Sequence, residues 1–344
     1  MSKHRVLLIG AGDMGSHHAR AWNVLGHELH TVIDLNPERA EAMAEKYDVK
    51  RVLTGDYDYQ VGIEQVDIVD ICVPLEFHAP LTIYAAEHGK HVFCEKPIAR
   101  TFKEIQAMQQ ATERANVKFG IGFQRNLAAG VAQLRDWATE GVFGHPMVFS
   151  SDLLQEVRPK RFMHDRNSNN GPIVDACCHY FLLWQTVFRS RPKTVYARGG
   201  IIAKSRQEIS HFEQLALDTA VITIEFESND IGAMTVSWGL EKDFRLPSRP
   251  DRIIGPHGGA EAVSTENFNW DLQLYHNGGQ SLHKLPQGDL FEEEIRAFVE
   301  AVDGVREAPF YGIEQGKQML ALSLAVIESI DTGRPVDVNY NFDF

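Results

Sequence analysis

The stretch VLLIGAGDMG (6–15) constrains this chain more than any other. A short apolar run of strand formers ends on Gly10, and Gly10, Gly12 and Gly15 then fall at GxGxxG spacing before a helix-like segment. A first glycine permits a tight turn, a second lets backbone approach a pyrophosphate, and a third lets helix pack closely on strand. Asp13 and Met14 fill the gap, where first-turn N–H groups and the positive end of the helix dipole favour phosphate. The next apolar run, ELHTVID, ends on Asp34, 19 residues beyond Gly15. A carboxylate there takes ribose hydroxyls and repels a 2′-phosphate, so NAD is expected rather than NADP. Arg39, the other residue of this end expected to touch cofactor, works in the opposite direction because its charge suits a phosphate.

Strand and helix patterns alternate through the first third. VLLIG, ELHTVID (28–34), VDIVDICVP (66–74), HVFC (91–94) and KFGIGF (118–123) read as strands. Between them, 14–26, 36–47, 78–89 and 101–116 read as helices, with Asn36 as N-cap, Pro37 at the first helical position, and Thr101 and Glu104 as a capping box. Strict alternation means an α/β fold with a doubly wound parallel sheet, whose ligands bind beyond the carboxyl ends of the strands. After residue 123 the rhythm changes. A helix at 127–140 and the strands PMVFSSDLL, TVYARGGII (194–202), TAVITIEFES (219–228) and GAMTVSWG (232–239) precede two long helices, 291–304 and 313–332. The expectation is two domains: a Rossmann domain at 1–123, and an α/β domain at 124–344 with a large, mostly antiparallel open sheet.

At 344 residues two domains fit better than one. A net charge of −13 without a Lys/Arg run argues against a nucleic-acid partner. No apolar stretch is long enough to span a membrane. The N-terminus enters a strand at once without a signal-peptide body, so a cytoplasmic protein is expected. The four cysteines form no CxxC pair, and Cys177-Cys178-His179 has no second ligand pair, so no metal is expected.

HVFC runs straight into Glu95, Lys96 and Pro97. A lysine at the end of a buried strand is costly unless paired or solvated. The tripeptide, with GAGDMG (10–15), Asp34, ICVPLEFHAP (71–80), CEKPIA (94–99), GPIVDACCH (171–179) and TGRPV (332–336), resembles the Gfo/Idh/MocA oxidoreductases over nearly the whole chain. The resemblance implies hydride transfer between a nicotinamide and a secondary hydroxyl or ketone of a sugar, glycoside or cyclitol, by a homodimer or homotetramer. It implies that Lys96 is the catalytic lysine, with Glu95 on the nicotinamide side and Pro97 often cis, and that Val73, Pro74, His78, Glu95 and Lys96 belong to the cofactor site.

Asp175 and His179 follow Gly171-Pro172 four residues apart, which on one helix puts them on one face. The family's D-x-x-x-H pair implies that His179 takes the hydroxyl proton and that Asp175 orients it or binds a hydroxyl. Many cyclitol-oxidising members carry an acid three residues after this histidine. Here it is Leu182, which points away from a simple inositol. Gln124, Arg125 and Asn126 are candidate substrate contacts, as are Arg161 and Phe162, beside Arg158 and His164 in the loop before Asp175. Trp238 and His18 read as structural, and the charges of DLFEEEIRAF (289–298) as a solvated helix face. Two further readings share the fold: a non-catalytic NAD-binding regulator, and an enzyme that recycles NAD without releasing it.

Overall fold

The computed structural model describes residues 2–54, 62–243, 246, 249–263 and 268–340. They form two compact units, 1–124 with 289–317 and 125–288 with 318–343.

The first unit holds β1 (Arg5–Ile9), α1 (Asp13–Val24), β2 (Glu28–Asp34), α2 (Pro37–Tyr47), β3 (Arg51–Thr54), β4 (Ile68–Ile71), α3 (His78–Glu87), β5 (His91–Glu95), α4 (Phe102–Ala115) and β6 (Phe119–Gly122). The six strands are all parallel, in the order β3-β2-β1-β4-β5-β6. The order reverses between β1 and β4, and ligands bind at such a switch point. Local signals fixed most element ends. The Asn36 side chain accepts the Arg39 N–H, and Thr101 and Glu104 form the full capping box. Strand β3 gives no sequence signal, because three half-buried residues and one exposed residue carry too little apolar pattern.

The second unit begins with α5 (Ala129–Thr139), β7 (Val148–Glu156), α6 (Gly171–Asp175) and α7 (Cys177–Phe188). Strands β8 (Pro192–Gly200), β9 (Thr219–Phe226), β10 (Ile231–Leu240), β11 (Arg252–Gly255), β12 (Gly258–Ala262), β13 (Leu272–His276) and β14 (Gly279–His283) follow. The chain then forms α8 (Leu290–Val302), α9 (Ile313–Thr332) and β15 (Val336–Asp337). The nine-stranded sheet runs β14-β13-β12-β11-β7-β10-β9-β8-β15, and only the β7–β10 pair is parallel. Ala220, Ile222, Ile224 and Phe226 alternate into the core, while Tyr196, Val221, Ile254 and Tyr275 stay exposed.

Two expectations about the first unit differ from the structure. A single boundary at residue 123 is too simple, because α8 returns to the first unit. Its Ile295, Phe298 and Val299 share a core with Val6, Leu8, Trp22 and Phe93. Nor is 289–298 a solvated face. Asp289 caps α8 and, with Glu292, pairs with Arg20, while Glu294 is buried.

Candidate active site

In the first unit the glycine turn is built by contact. Gly10 has φ +100°, and a Cβ there would come within 2.4 Å of the Cys72 carbonyl oxygen. A Cβ on Gly15 would lie 1.8 Å from the Gly10 carbonyl oxygen. Gly12 is different: it is the N-cap of α1, offers no capping side chain, and a Cβ there would meet nothing within 4 Å. The protein itself leaves that space, and it suits a pyrophosphate over the first-turn N–H groups of Asp13 and Met14. Gly12→Ala should therefore leave Tm within about 3 °C of the parent. It should weaken NAD about tenfold or more by titration, the loss of about 1.4 kcal/mol of contact. An unchanged NAD affinity would remove Gly12 from the cofactor site.

Asp34 ends β2 beside this turn. Its Oδ2 accepts the Ala11 N–H at 2.7 Å and its Oδ1 the Asn36 N–H at 2.7 Å. The carboxylate is thereby held in place with lone pairs left for ribose hydroxyls. Arg39 stands exposed at the start of α2. Val73 and Pro74, after β4, are half-buried. His78, expected at the cofactor site, braces the loops that would line it. Its ring is buried, with Nδ1 2.7 Å from the Pro97 carbonyl and Nε2 2.9 Å from that of Val73. It ties the loop after β4 to the turn after β5. Burial pushes its imidazole below the usual range, against both carbonyls.

That turn carries Lys96, half-buried, and the Lys96–Pro97 peptide is cis. The Glu95 carboxylate is buried. Its Oε2 accepts the Lys96 N–H at 3.0 Å and its Oε1 lies 3.2 Å from His18 Nε2. Burial opposes the charge, but the hydrogen bond and charge of His18, with Lys96, outweigh it and hold the carboxyl below its usual range.

In the second unit, Asp175 and His179 do not share one helix. Asp175 ends α6, Ala176 (φ −115°, ψ −39°) interrupts, and His179 lies in the first turn of α7. Both are buried. Asp175 Oδ1 accepts from Asn169 Nδ2 at 2.8 Å. Asn126 donates to the His179 carbonyl at 3.1 Å, so it holds the turn that presents the histidine. Arg161 sends its guanidinium back to the Val157 and Arg158 carbonyls, at 3.1 and 2.6 Å, and so braces its own loop. Phe162 is exposed, Gln124 is buried, and Cys177 and Cys178 are buried free thiols. Leu182 and Trp238 are core.

Sequence reading missed a cavity of about 490 Å³ in this unit. Arg125, Gln155, Tyr180, Asp251, Phe268 and Trp270 are among its walls. The Arg125 guanidinium lies 5.9 Å from the Phe268 ring centroid. Burial pushes the Asp251 carboxyl up to about 7, and its Oδ1 has no hydrogen-bond partner among the described residues. Aromatic faces beside polar groups suit the C–H faces and hydroxyls of a polyol. The wall residues near β11 and β12 carry little sequence signal because those strands are short and weakly alternating.

Residues 4–123 match the GFO/IDH/MocA oxidoreductase family model with NAD-binding Rossmann fold, and 131–260 match the GFO/IDH/MocA C-terminal domain model. The myo-inositol 2-dehydrogenase of Thermotoga maritima is 25% identical, over 96% of this chain and 98% of that one. The D-glucoside 3-dehydrogenase of Escherichia coli is 26% identical, over 97% of each. Among solved structures, an oxidoreductase domain protein from Kribbella flavida shares the fold, with TM-score 0.85 at 22% identity over 98% of this chain and 100% of that one. No helix among the described residues is long and apolar enough to cross a membrane.

Proposed function

Because this chain belongs to the Gfo/Idh/MocA oxidoreductases, we propose that it moves a hydride between NAD and a secondary hydroxyl or ketone of a sugar, glycoside or cyclitol. The observation that carries this reading is the carboxyl edge of the first sheet. There Asp34 is fixed at the glycine turn, and Lys96 stands on a braced turn after β5. NAD, when bound, accepts the hydride. Asp34 takes the ribose hydroxyls and favours NAD over NADP. The Lys96 ammonium hydrogen-bonds the reacting oxygen and stabilises its developing charge. His179 receives the hydroxyl proton, and Asp175 orients or charge-balances it.

Two relatives are named for inositol and glucoside oxidation, which supports a carbohydrate-like substrate. The buried Leu182 and the aromatic walls of the second-unit cavity favour a glycoside over a free inositol. The test is single-turnover reduction of stoichiometric NAD, and in parallel NADP, against inositols, free sugars, sugar acids and glycosides. Reduced nicotinamide should form with NAD and a glycoside or sugar. Silence across the panel with NAD still bound would favour the regulator. A single turnover without release of reduced cofactor would favour recycling in place.

A further inference from the structure

His18 is fully buried in the first unit, yet both of its ring nitrogens face carboxylates. Nδ1 lies 3.0 and 3.1 Å from the two oxygens of Asp70, and Nε2 lies 3.2 Å from Glu95 Oε1. Glu294 of α8 stands 3.7 Å from Nε2. Trp22 Nε1 donates to Asp70 Oδ2 at 2.6 Å, and Cys72 Sγ lies 3.3 Å from Nδ1. Lys96 flanks Glu95, Asp289 lies near Glu294, and Phe93 and Phe291 close the sides.

A neutral imidazole has one N–H; two carboxylate acceptors ask for two. An imidazolium supplies both. One cation cannot balance Asp70, Glu95 and Glu294 together in a dry interior, so one carboxyl holds a proton. Asp70 accepts from Trp22 as well as His18, and Glu95 accepts from the Lys96 N–H as well as His18. Both Glu294 oxygens lack a hydrogen-bond partner among the described residues, so Glu294 is the group that holds it.

We propose that His18, kept cationic by Asp70, is the positioning residue of the Glu95–Lys96 turn, with Glu294 as a neutral acid behind it. His18 clamps one oxygen of Glu95 while the other receives the Lys96 N–H, so the charge of His18 fixes the backbone that carries the lysine. The directions of titration agree. Burial opposes the His18 charge but Asp70 overrides it, and burial pushes Glu294 well above its usual range. Asp70, Cys72 and His18 also bring potential metal-ligand atoms within 4.8 Å of one another. Their distances are accounted for by the hydrogen bonds above.

The effect on catalysis rests on the role proposed for Lys96; the charge states do not, so they are measured separately. Nitrogen-15 NMR of the histidine-labelled full chain should show His18 still doubly protonated at pH values where an ordinary histidine is neutral. A neutral ring at pH 7 would overturn the proposal outright. In Asp70→Asn, which keeps an acceptor for Trp22, His18 should lose its proton near neutral pH. Its kcat should then fall about tenfold at pH 8 to 9 and recover below about pH 6, with KM for NAD nearly unmoved. A loss of the same size at every pH, or none, would reduce His18 to packing.

Glu294→Gln gives a readout without activity. Its folded carboxyl is pushed above the unfolded value, so ionisation in the unfolded chain costs the parent stability as pH rises above about 4.5. The Tm advantage of Glu294→Gln should therefore grow from pH 5 to pH 8, and a pH-independent difference would refute the neutral acid. If NMR and Tm behave as expected but Lys96→Met keeps its kcat, the charge cluster stands, and the failure belongs to the lysine's proposed role.

Discussion

Lys96→Met should lower kcat by about 10²–10⁴-fold, the span expected when one positioned proton-handling or oxyanion-stabilising group is removed. Methionine keeps most of the side-chain length, so the half-buried stem still packs. The backbone N–H that bonds Glu95 Oε2 is untouched. NAD affinity should therefore change by less than about threefold, which separates chemistry from binding. The measurement is steady-state reduction of nicotinamide with whichever substrate the panel identifies. His179→Asn belongs in the same experiment. If the two groups handle one proton, the double variant should lose far less than the product of the single losses. A kcat that survives Lys96→Met would end the catalytic reading of the EKP turn.

Gly10→Ala should destabilise the protein by about 3 kcal/mol or more. The left-handed backbone at φ +100° costs a side chain about 1–3 kcal/mol. The new methyl would also meet the Cys72 carbonyl oxygen at 2.4 Å, and overpacking against backbone adds about 1–3 kcal/mol. Because β1 and β4 are paired neighbours at the switch point, neither strand can yield without losing ladder hydrogen bonds. A fall in Tm of about 6 °C or more follows, read by calorimetry on the chain without cofactor. The contrast with Gly12→Ala is the useful part. If Gly10 serves the fold and Gly12 a ligand, their substitutions should separate stability from NAD binding. A Gly10→Ala chain that melts with the parent would refute the steric account of the turn.

The first unit was largely legible because its signals are local. Period, caps and glycine spacing act within a few residues, so β2 ends on Asp34 and α2 starts after Asn36 as the sequence implied. Lys96 and the Asp175–His179 pair were likewise visible as short motifs. Their detailed setting was not. The break at Ala176 depends on how α6 and α7 pack, and nothing within GPIVDACCH announces it.

His18 read as structural, and its charge was invisible, because its partners are 52 and 77 residues away on neighbouring strands. Glu294 left a trace that was available: it sits four residues from both Leu290 and Phe298, on the apolar stripe of α8. A charge on that stripe is a buried charge, and only the packing of α8 against α1 could say beside what. Sequence alone thus determined the parallel sheet, the glycine turn and the residue types offered to cofactor and substrate, since these follow from short-range sterics and hydrogen bonding. Tertiary structure decided which carboxylates turn inward, which histidines brace and which carries charge, since a buried group's ionisation is set by neighbours distant in the chain.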